Sequence, residues 1–127
     1  MKVANPIGKK GEDEAAKFLQ KKGYKIIERN FQGRQGEIDI IAIEPQTKSN
    51  SKVLVFVEVK TRRSYQYGTP AESIRHTKIA SILITAGLYV ATHQNLPEQQ
   101  RVDAIAVIMD ENEHVTTVEH IENISGF

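Results

Sequence analysis

Asp39 stands between Ile38 and Ile40, and Glu58 and Lys60 interrupt the apolar run formed by Val55, Phe56, Val57 and Val59. A charge inside an apolar strand is costly to bury unless it is paired or binds a metal ion. Because strand side chains alternate, Glu58 and Lys60 share a face, roughly 7 Å apart along the chain. If the segments around Asp39 and Glu58 form a hairpin with Ile43 opposite Leu54, Asp39 lies opposite Glu58 and two carboxylates converge. Close carboxylates repel, so they hold either a shared proton or a cation. An all-oxygen donor set without His or Cys suits Mg²⁺ or Mn²⁺. Lys60 beside it could orient or deprotonate an attacking water, or neutralise charge developing on a phosphate. The plainer alternative is a buried structural ion pair, which has little stability to offer for its desolvation cost.

Other residues add to this set. Glu12 lies on the helical line Gly8, Glu12, Ala15 or Ala16, Leu19, away from the lysine face, and glycines at 8 and 11 allow the helix to approach a sheet closely. That makes Glu12 a candidate further carboxylate, although a carboxylate early in a helix is also favoured by the dipole alone. Glu37 precedes Asp39 by two residues and is equally readable as an accessory ligand or an ion-pair partner. From Lys60 to Gly68 the chain carries Arg62, Arg63, Tyr65 and Tyr67, a composition suited to phosphate contacts and to stacking on unpaired bases. The histidines at 76, 93, 114 and 120 show no metal-ligand spacing and read as surface residues, and Arg101 with Asp103 reads as a structural pair.

The elements that position these residues follow from local signals. Asn5-Pro6 caps a helix that Gly23 stops, giving 6–22 with Ile7, Gly11, Ala15, Phe18 and Leu19 on its buried face. Strands are expected over 24–31 and 37–43 around a turn at 33–36, and over 53–61, where valines on both faces suit a central strand. Residues 44–52 are loop chemistry, and Thr69-Pro70-Ala71-Glu72 is a capping box opening helical sequence that runs to about Thr92. Strands at 102–109 and 115–121 complete the order αβββαββ. The expected sheet is mixed, about five strands flanked by helices, with an antiparallel 37–61 hairpin and the strand from Val102 parallel to 53–61.

At 127 residues with 39% hydrophobic and 26% charged, the chain is expected to form one globular domain over 1–127. The run from Ile79 to His93 is too short and too polar for a membrane span, and the first residues lack the apolar stretch of a signal peptide, so a cytoplasmic setting is expected. Without cysteine, disulfides and thiolate chemistry are excluded. The net charge of +1 hides an asymmetry: nine basic against four acidic residues over 1–35, but one against seven over 98–127. A polyanion would meet the basic front.

The segments GKKGEDEA (8–15), Gly36-Glu37-Ile38-Asp39, Val57-Glu58-Val59-Lys60-Thr61-Arg62 and Arg101-Val102-Asp103 together resemble the YraN-like family. This group of uncharacterised bacterial proteins is placed in the PD-(D/E)XK nuclease superfamily, and the pattern is similar to archaeal Holliday-junction resolvases. The resemblance implies a restriction-endonuclease-like three-layer fold. It also implies Glu12, Asp39, Glu58 and the Val59 carbonyl as metal ligands, with Lys60 as the catalytic lysine. By the same analogy the partner is structured or branched DNA, cleaved by phosphodiester hydrolysis, and the protein is a homodimer. A non-cleaving nucleic-acid-binding protein that keeps the fold and the site is the alternative. Ile38, where the superfamily's name has proline, is usual within the family.

Overall fold

The computed structural model describes residues 6–45, 51–63, 77 and 79–126. Helix α1 spans Pro6–Lys21. It ends where Gly23 adopts φ 91°, with the Gly23 N–H donating to the Gln20 carbonyl and the Tyr24 N–H to the Leu19 carbonyl, a Schellman closure. Gly11, Ala15, Ala16 and Leu19 are its buried residues. Ile7 and Phe18, also expected on that face, are only partly buried.

Five strands follow: β1 (Lys25–Gln32), β2 (Glu37–Glu44), β3 (Val53–Arg62), β4 (Gln99–Met109) and β5 (Val115–Ile121). Helix α2, Ile79–Thr92, lies between β3 and β4 in the chain. The capping box expected at 69–72 and His76 fall outside the described residues. Spatial order equals chain order, β1-β2-β3-β4-β5. All neighbours are antiparallel except β3 and β4, which are parallel as expected, in the register Val53↔Gln99 to Arg62↔Ile108. β4 begins three residues before the expected Val102, because its first residues pair with Val53 and its neighbours.

The sheet is mixed and carries an apolar cluster on each face. One joins α1 to Ile40, Ala42, Val55, Val57, Ile105 and Val107. The other joins α2, through Ile82, Ala86 and Tyr89, to Ile38, Ile41, Leu54 and Phe56. The central strand β3 is fully buried from Val53 to Val57 and only half-buried from Glu58 onward. Glu58 and Lys60 therefore lie where the strand leaves the core.

Two close approaches fix the helices over that end. A methyl group on Gly11 would lie 1.9 Å from Thr61 Oγ1, so α1 touches the end of β3 through a residue that has no side chain. Gly33 and Gly36 in the β1–β2 turn pack beside Thr85, and Gly36 beside Ser81, both of α2.

Candidate metal centre

The β2–β3 ladder has the register expected from the sequence, with Ile43 opposite Leu54, and its recorded pairs end at Ile40↔Val57. One step further brings Asp39 beside Glu58. There the Val59 N–H donates to Asp39 Oδ2 at 2.8 Å, a side chain standing in for the next rung. Within a strand residue the N–H and C=O point the same way, so the Val59 carbonyl also faces the Asp39 side, where the ladder has ended.

Burial pushes the Asp39 carboxyl up to about 7, reinforced by the charge of Glu58 and, more weakly, of Glu12 and Glu37; the Val59 N–H opposes this. Glu58 is also raised, first by burial, while Lys60 pulls it back down. Lys60 Nζ lies 3.4 Å from Glu58 Oε1, the two on one face as alternation requires. Glu58 and Lys60 line a cleft together with Glu37, Gln35, Gly36, Thr77, Ser81 and Ile82. Within it Thr77 Oγ1 is buried and has no hydrogen-bond partner among the described residues.

Glu12 is brought to the same end of the sheet, but it is engaged there. Asn30 Nδ2 donates to Glu12 Oε1 at 2.7 Å, and Arg29 lies 3.7 Å from that oxygen while bonding Asp13 at 2.8 Å. Glu12, Asp39 and Glu58 do not form a cluster with all ligand atoms within 4.8 Å; among the described residues only Asp103, His120 and Glu122 do. Repelling carboxylates each turn to the nearest donor, so the looser spacing is what charge alone dictates. The donor set still fits a hard cation: carboxylates and a carbonyl, with the most buried carboxyl, Asp39, the least compensated.

The tighter cluster is a different kind of site. Asp103 is completely buried, and its Oδ1 accepts from Arg101 Nε and the Asn123 N–H, its Oδ2 from Arg101 and His120 Nε2, at 2.8–2.9 Å. Burial would raise its pKa, but the bonds from His120, Arg101 and Asn123 outweigh that and lower it. Arg101 also donates to Glu44 at 2.6 Å and to the Tyr24 hydroxyl at 3.0 Å. With both oxygens doubly occupied, Asp103 has no lone pair to offer a cation, and the group is a buried clamp between β4, β2 and the chain after α1. The structural reading of Arg101 and Asp103 holds. His120, expected at the surface, is corrected: its side chain is 3% exposed, because the edge strand β5 turns it onto Asp103 and between the rings of Phe18 and Tyr24.

Of the residues expected to meet phosphate, Arg62 ends β3, and Arg63 is exposed and ion-paired with Glu113 at 3.3 Å. Tyr65 and Tyr67 lie outside the described residues. Sequence reasoning missed Asn30, Tyr24 and Glu44. No local pattern marks them: Asn30 follows the polar Glu28 and Arg29, and the contacts of all three run to other elements.

The model of the uncharacterised protein family UPF0102 matches residues 11–107. The chain belongs to that family. A UPF0102 protein of Persephonella marina is 42% identical over 108 residues, covering 85% of this chain and 88% of its own length. One from Symbiobacterium thermophilum is 45% identical over 105 residues, covering 83% and 84%. One from Carboxydothermus hydrogenoformans is 37% identical over 121 residues, covering 95% and 96%. The matched UPF0102 region holds Glu12, Asn30, Asp39, Glu58, Lys60 and Asp103, and ends before His120.

Proposed function

We propose that this UPF0102 protein is a PD-(D/E)XK-type, restriction-endonuclease-like nuclease that hydrolyses phosphodiester bonds in structured or branched DNA. The observation that carries the proposal is a half-buried carboxyl, Asp39, beside Glu58 and Lys60 at the end of the central ladder, with Glu12 and Glu37 close enough to act on it. Asp39, Glu58 and the Val59 carbonyl are the groups that would hold Mg²⁺ or Mn²⁺, with Glu12 as a further carboxylate. A bound divalent ion would supply Lewis acidity and an activated water. Lys60, 3.4 Å from Glu58, would orient that water or stabilise charge on the phosphate. Thr77 Oγ1, without a hydrogen-bond partner among the described residues, offers a donor in the same cleft.

A second reading is favoured by the pairing itself. Lys60 is engaged by Glu58, as in a nucleic-acid-binding protein that keeps the site without cleaving. Labelled junction, flap, single-stranded and duplex DNA incubated with Mn²⁺ separates the two. For a nuclease, Lys60→Ala should keep metal binding and slow cleavage about 100-fold or more. Asp39→Asn should remove most of the rise in thermal midpoint that Mn²⁺ produces. Equal metal-induced shifts in wild type and an Asp39→Asn, Glu58→Gln double variant would sink the site in both readings.

The setting this function implies is cytoplasmic; among the described residues no helix is long and apolar enough to cross a membrane. The homodimer implied by likeness to junction resolvases has a suitable surface in α2. Its exposed Ala80, Leu83, Ile84, Gly87, Leu88 and Ala91 form one apolar face. A monomeric mass at sedimentation equilibrium would exclude that pairing.

A further inference from the structure

Asn30 sits in β1 between Arg29, paired with Ile40, and Phe31, paired with Ile38, so it is the residue across from Asp39. Its φ is 54°. The other non-glycine residues with positive φ, Asn95, Glu113 and Asn123, lie in turns and connections, which makes Asn30 the one such residue inside a described strand. A left-handed residue breaks the alternation of a strand and is unfavourable for any side chain, least so for asparagine. The β1–β2 register is the same immediately on either side of Asn30, after a bulge between Ile26 and Glu28, and Ile38 and Ile40, flanking Asp39, join opposite apolar clusters, so the hairpin also turns over at this point. In that conformation Asn30 also makes a contact to another element: its Nδ2 donates to Glu12 Oε1 of α1 at 2.7 Å.

We propose that Asn30 is a positioning residue of the carboxylate site, holding Glu12 at the position from which it joins Asp39 and Glu58 around a divalent cation; this rests on the reading of that site as a metal centre. Glu12 is a long side chain on a helix, with Arg29 as a competing partner 3.7 Å away. A neutral amide fixes one carboxylate oxygen without neutralising the charge a cation needs, whereas capture by Arg29 would neutralise it. The residue type meets both demands. Glycine would take the backbone conformation freely but has no donor, and aspartate would tolerate the conformation but present a second negative charge to Glu12. Hydrogen bonds of this kind to a ligating carboxylate are worth about 10- to 100-fold in metal affinity.

The test is Mn²⁺ titration of the full chain, by calorimetry or by the spin-resonance signal of free Mn²⁺, alongside the metal-free thermal midpoint. Asn30→Gly keeps the backbone conformation and should leave the metal-free midpoint nearly unchanged while weakening Mn²⁺ binding by about 10-fold or more. Asn30→Ser, whose hydroxyl stops short of Glu12, should weaken it likewise and serves if glycine loosens the strand. In a Glu12→Gln background neither change should weaken binding further. Wild-type affinity in Asn30→Gly or Asn30→Ser, with binding still lost in Asp39→Asn, would overturn the role of Asn30 and leave the metal centre standing. Equal losses with and without Glu12 would also overturn it. Absence of Mn²⁺ binding in the wild type would overturn the metal centre and this role with it.

Discussion

Asp39 illustrates how a single residue can be destabilising where it stands. An unfolded aspartate ionises near 3.8, but in the fold burial and the charge of Glu58 raise it to about 7. Between those values the folded state holds a proton that the unfolded state has lost, so stability falls as pH rises through that window. Below it, both states are protonated and nothing is lost; above it, the whole penalty is present. Asp39→Asn should therefore match the wild type near pH 4 and exceed it at pH 8 by a few kcal/mol, since each tenfold change in proton affinity between the two states corresponds to about 1.4 kcal/mol. Thermal midpoints across that range check this, and a wild type that is the more stable at pH 8 would contradict it. The pairing of Asp39 with Glu58 was legible in the sequence because alternation and one hairpin register decide it. Asn30 was not, because its bond runs to Glu12, eighteen residues away on another element. His120 was misplaced for a similar reason: its burial depends on Asp103 and on rings from the N-terminal half, which no local pattern contains.

At the scale of elements, α1 must lie against β3 for Glu12 to reach the site, and Gly11 is what permits it. Alanine is the better helix former by about 1 kcal/mol, so an exposed Gly→Ala change would stabilise. At position 11 the new methyl meets Thr61 Oγ1 at 1.9 Å and the Thr61 Cβ and Cγ2 at 2.9 Å. Gly11→Ala is expected to destabilise by roughly 1–3 kcal/mol, the usual cost of overpacking. Thr61→Ala in the same chain should recover most of that loss, a coupling that independent sites would not show. Urea unfolding of the two single variants and the double variant measures it; strictly additive changes would mean that α1 does not touch the end of β3 at Gly11. The strands themselves were well marked, since Val53–Val57 carries apolar residues on both faces and is buried on both. The clamp was half legible: Arg101 and Asp103 share a face two residues apart, whereas Tyr24 and Glu44 are 77 and 57 residues from Arg101.

Over the whole molecule, the charge asymmetry of the sequence is folded back on itself. The acidic β4–β5 hairpin reaches the basic N-terminal region and the end of β3: Lys10 Nζ donates to the Glu113 carbonyl, Arg63 pairs with the Glu113 carboxylate at 3.3 Å, and Lys22 Nζ bonds His120 at 2.8 Å. An exposed ion pair such as Arg63–Glu113 contributes at most about 1 kcal/mol to stability. Its larger effect falls on a polyanion, which must compete with Glu113 for Arg63 before that guanidinium can meet a phosphate. Glu113→Gln keeps the side-chain shape and the backbone acceptor for Lys10, and removes the competing charge. It should leave the thermal midpoint within a degree or two while tightening DNA binding roughly 2- to 5-fold at low salt, an advantage that shrinks as salt screens it. In an Arg63→Ala background, which itself should weaken binding, the same change should give a much smaller gain. Fluorescence anisotropy with a labelled junction, read from low to moderate salt, makes the comparison. If Glu113→Gln binds no more tightly than the wild type at the lowest salt, the end of β3 is not the face that DNA meets, and the basic front must be sought along α1 instead.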